Sequence, residues 1–210
     1  MFKDRNDAGK QLAEKLMGYK NKEVVVVAIP RGGLPLGAIV AKALNAPLDV
    51  VLTKKIGHPI NKEYAIGAVS IGNKYITDSV GASLSYIDEE TRRIRDILRQ
   101  RQNQYYKNSK PKDLKDKIVI IVDDGVATGS TMLATIALIK DENPLRLIVA
   151  VPVSSVSASE KLSNSPFVDE VVCLYTPKDF QAVGQFYEVF ESVLDKRAIQ
   201  ILEESNKRLI

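Results

Sequence analysis

Apolar and polar positions along the chain fall into alternating blocks that predict strands and helices in turn. Helical spacing predicts helices over 7–17, 35–44, 131–140 and 157–162. Alternating strands and helices indicate an α/β fold with a doubly wound, mainly parallel five-stranded sheet flanked by helices. Its predicted strands are five segments rich in β-branched and apolar residues, at Val24–Ile29, Leu48–Thr53, Val119–Val122, Leu147–Pro152 and Val168–Leu174.

Residues 55–117 interrupt this alternation. Two short segments, Ile66–Ile71 and Lys74–Thr77, flank Gly72-Asn73 and predict a hairpin. A long charged helix is expected over Asp88–Tyr106, with a solvated Arg-rich face or, secondarily, a dimer contact. The predicted domains are a core at 1–175, which includes the 55–117 loop, hairpin and helix insertion, and a helical hood or tail at 176–210.

The end of the third predicted sheet strand carries the first candidate site. Asp123 and Asp124 follow the strand directly, at the edge where open α/β sheets bind ligands. The loop Ala127-Thr128-Gly129-Ser130-Thr131 then opens a helix, where free N–H groups and the helix dipole favour a phosphate. Two carboxylates beside an anion cradle suit a sugar phosphate, because they can accept from ribose hydroxyls or hold a divalent ion. Walker A and G-x-G-x-x-G loops are absent from the sequence.

A second candidate loop follows the first strand. In Pro30-Arg31-Gly32-Gly33 the glycines allow close backbone approach to a ligand, and Arg31 can bind an oxyanion with two hydrogen bonds. The alternative is a glycine-rich turn with a solvated arginine. Lys54 and Lys55 end the second predicted strand, where they would either cap a solvated strand end or neutralise a second anion.

The stretch V-D-D-G-V-A-T-G-S-T resembles the phosphoribosyl pyrophosphate (PRPP) motif of type I phosphoribosyltransferases. By this resemblance, Asp123 and Asp124 contact the ribose hydroxyls and take part in holding Mg²⁺, and the loop at 127–131 holds the 5′-phosphate. Arg31, Gly32 and Gly33 would bind the diphosphate leaving group near a strained or cis peptide, with Lys54 or Lys55 in the site. The flanks P-R-G-G and K-I-G-x-P resemble a less characterised bacterial branch.

The resemblance implies an enzyme that transfers 5-phosphoribosyl from PRPP to a nitrogenous acceptor and releases diphosphate, with Asp123, Asp124, Arg31 and Lys54 as catalytic residues. The alternative is a PRPP-binding regulator of transcription or RNA on the same fold. Ala127 replaces the Asp of the hypoxanthine/guanine branch, which argues against a 6-oxopurine acceptor.

Further family features fall in the insertion and the tail. The segment Gly57–Tyr64 is the candidate for the family's flexible loop; the roles of its His58 and Glu63 stay open. The hood is expected in the tail, whose aromatic residues would stack on the base or pack on the sheet.

Composition adds limits to this interpretation. The net charge is +4, from 30 basic and 26 acidic residues, so nucleic acid binding is not indicated. A single cysteine leaves no disulfide framework within the chain. A polar N-terminus and the lack of a spanning apolar run predict no membrane contact and a cytoplasmic location. A homodimer is a further expectation.

Overall fold

The computed structural model describes residues 1–62, 64–77, 81–107 and 110–207. The strands are β1 Val24–Ala28, β2 Leu48–Val50, β3 Lys54–Gly57, β4 Ala65–Val69, β5 Lys74–Ile76, β6 Ile118–Val122, β7 Arg146–Val153 and β8 Glu170–Tyr175. The helices are α1 Arg5–Lys15, α2 Gly33–Leu44, α3 Leu84–Tyr105, α4 Ser130–Lys140, α5 Val156–Ser163 and α6 Asp195–Lys207.

The main sheet has the strand order β2-β1-β6-β7-β8, and every pair of neighbours is parallel. Alternate residues of its central strands face two separate apolar cores, one with α1, α2 and α6 and the other with α4 and α5. Helices therefore cover both faces, which explains why β1 and β6 are apolar at every position. The predicted doubly wound α/β sheet is confirmed.

The register of the two central strands aligns their carboxyl ends. Ala28 of β1 is level with Val122 of β6, and the Ile29 N–H donates to the Val122 carbonyl at 2.9 Å. The chain segments that leave these two strands therefore start side by side at one edge of the sheet.

The predicted second strand is wrong at its carboxyl end. β2 stops at Val50, although the Val51 N–H still donates to Ala28, and Lys54 begins β3 in a separate antiparallel sheet with β4 and β5. The sequence gives no sign of this change of sheet, because Val51 and Leu52 after β2 are as apolar as the strand itself. The predicted hairpin is confirmed as β4 and β5.

The tail contains less helix than expected. Between β8 and α6 it forms only a short 3-10 turn at Val183–Phe186. The first residues of the chain pair with it, because the Phe2 N–H donates to Phe186 and the Glu188 N–H donates to Phe2. The division into 1–175 and 176–210 stays a prediction. No helix of the described residues is long and apolar enough to cross a membrane.

Candidate functional site

The acid pair stands where β6 emerges from the core. β6 is fully buried, whereas Asp123 and Asp124 are half-buried at its carboxyl end. The Asp124 N–H donates to Asp123 Oδ1 at 2.9 Å. Burial raises the pKa of Asp123 well above its usual value, and the neighbouring Asp124 carboxylate adds to the rise. Burial also raises the pKa of Asp124, although Arg5 opposes the shift.

The turn after β1 lies against this acid pair. A Cβ atom on Gly32 would overlap the Asp124 carboxylate, and one on Gly33 would lie 2.5 Å from the Val122 carbonyl oxygen. Only glycine permits this approach at both positions. The peptide between Pro30 and Arg31 is cis. The structure thus brings the loop Pro30–Gly33 against the acid pair at the end of β6.

Arg31 itself points away from the buried part of the site. Its side chain is 49% exposed, and its Nη1 lies 3.4 Å from Asp195 Oδ2 at the start of α6. Because both partners are largely exposed, this ion pair contributes little to stability. The guanidinium can exchange Asp195 for another anion.

The loop after the acids leads directly into α4. Gly129 has φ +81° and precedes the first helical residue, so it takes the left-handed conformation that glycine adopts without strain. Ala127, Thr128, Ser130 and Thr131 are exposed. The first N–H groups of α4 have no acceptor inside the helix, and they border this loop.

Two residues that the sequence analysis did not single out support this loop. The Ser155 hydroxyl donates to the Ala127 carbonyl at 2.6 Å, and Lys161 Nζ lies 3.5 Å from the Thr128 carbonyl. Ser155 follows β7 and caps α5. A serine at a strand end before a helix was an available signal for Ser155, whereas Lys161 carried none.

Lys54 and Lys55 are placed differently from the expectation. Both are exposed and begin β3, outside the main sheet. The neighbouring Thr53 hydroxyl lies 3.3 Å from the Thr135 hydroxyl of α4, so the segment still runs beside the helix of the phosphate loop. Lys54 acts electrostatically on Glu90 of α3, whose pKa is lowered mainly by Arg93.

The candidate flexible loop joins β3 to β4. The His58 N–H donates to the Tyr64 carbonyl at 2.8 Å, and the His58 ring packs edge-on against Tyr64. Glu63 lies outside the described residues. The family-based role of this segment stays a prediction.

Arg5 is the main site residue that sequence reasoning missed. Its Nε and Nη2 donate to Asp124 Oδ2 at 2.9 and 2.8 Å, and its Nη1 donates to the Glu191 carbonyl at 2.6 Å. The guanidinium carbon also lies 3.9 Å from the centre of the Phe190 ring. Arg5 is 119 residues from Asp124, and no local pattern could have linked them.

The tail also contacts the backbone of Asp124 and the neighbouring Gly125. The Tyr187 hydroxyl donates to the Asp124 carbonyl at 2.6 Å. A Cβ atom on Gly125 would lie 2.6 Å from a methyl group of Val183. The tail therefore occupies the space beside Gly125 that a side chain would need.

Most aromatic residues of the tail pack against one another. Phe186 contacts Tyr175 and Phe180, and Tyr187 contacts Phe2 and Phe190. Phe186 and Tyr187 are buried, while Tyr175 and Phe190 keep 52% and 38% of their surface exposed. Packing of the aromatic rings against one another thus accounts for the buried pair and leaves Tyr175 and Phe190 partly exposed.

Comparison with known proteins identifies the family. The family model of the phosphoribosyl transferase domain matches residues 3–187. The chain belongs to the phosphoribosyl transferase family. The matched range includes β1 to β8 and both loops of the candidate site.

Individual relatives agree with this assignment. The chain is 36% identical over 99% of its length to a Mycobacterium tuberculosis (strain H37Rv) protein provisionally named a phosphoribosyl transferase, and covers 47% of that protein. It thus spans about half the length of this curated relative. The crystal structure of TT1426 from Thermus thermophilus is 41% identical, with a TM-score of 0.89 over 97% of this chain and 98% of that one. A Neisseria gonorrhoeae protein solved with bound ppGpp shares the fold, with 17% identity and a TM-score of 0.53 over 97% and 98% of the two chains.

Phosphoribosyltransferases generally use Mg²⁺ with PRPP. Within the described residues, no cluster of three or more His, Cys, Asp or Glu side chains could hold a metal alone. Asp123 Oδ2 and Asp124 Oδ1 have no hydrogen-bond partner among those residues. Since Mg²⁺ is commonly bound by one or two carboxylates plus substrate phosphates and water, the acid pair fits the ion when substrate completes the ligand set.

Proposed function

We propose that the protein transfers the 5-phosphoribosyl group of PRPP to a nitrogenous base and releases diphosphate. The observation that carries this proposal is the contact of the Gly32–Gly33 turn with Asp124. This contact puts an arginine-bearing loop beside the acid pair, on the edge that also bears a helix N-terminus. Such an edge offers one anion-binding site at the arginine-bearing loop and another at the start of α4, with the hydroxyl-binding acid pair between them. This arrangement matches a sugar with a phosphate group at each end.

In this mechanism the protein mainly holds and orients the sugar. The exposed loop Ala127–Thr131 and the first turn of α4 bind the 5′-phosphate. Asp123 and Asp124 accept hydrogen bonds from the ribose hydroxyls through their unpaired oxygens. Holding both the 5′-phosphate and the ribose hydroxyls directs C1 of the ribose towards the acceptor, which lowers the entropic part of the barrier.

The reaction exchanges one bond at C1 for another. The bond from C1 to the diphosphate oxygen breaks, and its electron pair leaves with diphosphate. An acceptor nitrogen forms the new bond to C1, and its proton passes to solvent. Positive charge develops on the ribose as the old bond breaks, and the adjacent acid pair stabilises this charge.

The leaving group is stabilised from the side of the β1 loop. The backbone at Gly32 and Gly33 and the guanidinium of Arg31 bind the diphosphate, and Lys54 or Lys55 neutralises further charge. Arg31 is suited to this because it is half exposed and, among the described residues, its ion-pair partner is the exposed Asp195. Mg²⁺, held by Asp123 and Asp124, would add charge neutralisation on the diphosphate.

The acceptor proposal concerns the residue at position 127. Ala127 is exposed in the loop and offers no side-chain hydrogen bond to a base. In the hypoxanthine/guanine branch an Asp at this position is thought to act on the purine N7. We therefore propose an acceptor other than a 6-oxopurine.

Calorimetry with PRPP and Mg²⁺, followed by diphosphate release over a panel of bases, tests the proposal. We expect PRPP binding by the chain and diphosphate release with at least one base, faster with adenine or uracil than with hypoxanthine. Lack of PRPP binding would overturn the proposal. Binding without turnover on any base would instead favour the regulator, whose function requires the same ligand seat but no reaction.

A further inference from the structure

Arg5 is held on every side in a way that fixes its guanidinium. Three of its nitrogens donate hydrogen bonds, two to Asp124 and one to the Glu191 carbonyl, and Phe190 covers one face. Its side chain is 12% exposed and that of Asp124 is 14% exposed. A guanidinium at such depth whose three nitrogens all donate hydrogen bonds has few alternative positions, so it defines where its partner lies.

Arg5 engages only one oxygen of Asp124. Both donors from Arg5 go to Oδ2, while Oδ1 has no hydrogen-bond partner among the described residues. A carboxylate that is gripped by one oxygen cannot rotate freely, and its second oxygen keeps a fixed direction. An acceptor held in a fixed direction loses less entropy when it binds a sugar hydroxyl.

The same contact links the acid to the tail. Glu191 and Phe190 belong to the tail, and Tyr187 donates to the backbone carbonyl of Asp124. Arg5 lies at the start of α1. One side chain therefore joins α1, the tail and the end of β6.

We propose that Arg5 is a positioning residue of the phosphoribosyl site, which orients Asp124 so that Oδ1 is presented to a ribose hydroxyl of PRPP. This role rests on the proposed function. Arg5 also offsets the charge of Asp124, and this lowers the repulsion between the acid pair and a polyanionic substrate. Its effect on the substrate passes through Asp124.

The test compares Arg5→Ala with the matched control Arg197→Ala. Arg197 borders the same cleft of about 870 Å³ as Arg5. Its side chain is 57% exposed, and its Nη1 lies 3.8 Å from Glu204 Oε2, so the ion pair is long and solvent-exposed. We expect Arg5→Ala to raise the PRPP dissociation constant and the KM for PRPP on the order of a hundredfold, with the KM for the base unchanged. Arg197→Ala should leave these constants within about twofold.

Binding stoichiometry separates positioning from a merely structural role. A structural defect would lower the fraction of chains that bind PRPP while leaving the dissociation constant of the remainder unchanged. Positioning predicts full stoichiometry with weaker binding. If Arg5→Ala does not fold, Arg5→Lys provides the same test, because lysine keeps the charge but lacks the planar guanidinium whose Nε and Nη2 both donate to Asp124 Oδ2.

Chemical rescue provides the second measurement. The cleft gives a small cation access to the space left by Arg5→Ala, so ethylguanidinium should restore PRPP affinity at least about fivefold, and ethylammonium should not. An unchanged dissociation constant in the Arg5 variants, beside normal binding by the wild type, would overturn the positioning role alone. Lack of PRPP binding by the wild type would overturn the proposed function and this role together.

Discussion

Two arginine–aspartate pairs stand at the same edge of the sheet, and they differ in almost every respect except their chemistry. Arg5 and Asp124 are 12% and 14% exposed and are joined by two hydrogen bonds. Arg31 and Asp195 are 49% and 62% exposed and 3.4 Å apart. The first pair fixes an acid in place, whereas the second holds an arginine loosely enough for another anion to displace it.

This difference matches the demands of the two ends of the proposed substrate. The sugar must be held still for the reaction at C1, and a rigid acid serves that purpose. The diphosphate must bind and then leave, which an exposed arginine with a weak intramolecular partner permits. In the proposed site, burial therefore separates a rigid sugar-binding side from an adaptable anion-binding side.

Asp124→Asn gives the largest expected effect, because it changes the rigid side of the site. The amide can still accept a hydrogen bond, but it loses the charge that stabilises the developing positive ribose. We expect kcat/KM to fall on the order of a hundredfold or more. Diphosphate release measures the loss, with Asp141→Asn at the exposed end of α4 as the control; full turnover by Asp124→Asn would contradict the proposed role.

Gly32→Ala tests whether the turn after β1 must contact Asp124. The added Cβ would overlap the Asp124 carboxylate, so the turn or the acid must move. We expect a loss of about 1–3 kcal/mol in the free energy of unfolding and at least about tenfold weaker PRPP binding. Denaturant unfolding and calorimetry give the two values.

Gly72→Ala is the matched control, since no atom lies within 4 Å of the Cβ it would add. Its free energy of unfolding should change by less than about 1 kcal/mol. Equal effects of the two substitutions would show that the contact between Gly32 and Asp124 has no special importance.

The rigid and adaptable sides also differ in how far the sequence predicts them. The predicted starts of β6 and α4 lie within one residue of the observed starts. This agreement is close because an apolar run and a glycine before a helix are local signals in the sequence. Lys54 was placed at the end of a sheet strand that stops at Val50, since an apolar run does not reveal where its partner strand ends. Arg5 could not be predicted, because its contact with Asp124 depends on how α1 and the tail pack.

Arg31→Ala tests the adaptable side directly. Since the Arg31 pair is exposed, the free energy of unfolding should stay within about 0.5 kcal/mol of the wild type. The affinity for inorganic diphosphate should fall about tenfold, because a charge-assisted hydrogen bond donor is removed. A large loss of stability with unchanged diphosphate affinity would reverse the assignment of the two pairs.

Asp195→Asn should have the smallest effect, and it should raise the affinity for diphosphate where Arg31→Ala lowers it. Removing the competing carboxylate frees Arg31, so the affinity for diphosphate should rise about twofold. The cost to the fold is below about 1 kcal/mol, because Asp195 contributes only an exposed ion pair and a favourable charge in the first turn of α6. Calorimetry with inorganic diphosphate at low and high salt measures the change, which should shrink as salt screens the exposed charges. Weaker diphosphate binding in this variant would mean that Asp195 holds Arg31 in its binding position, and the exposed pair would then resemble the buried one in function.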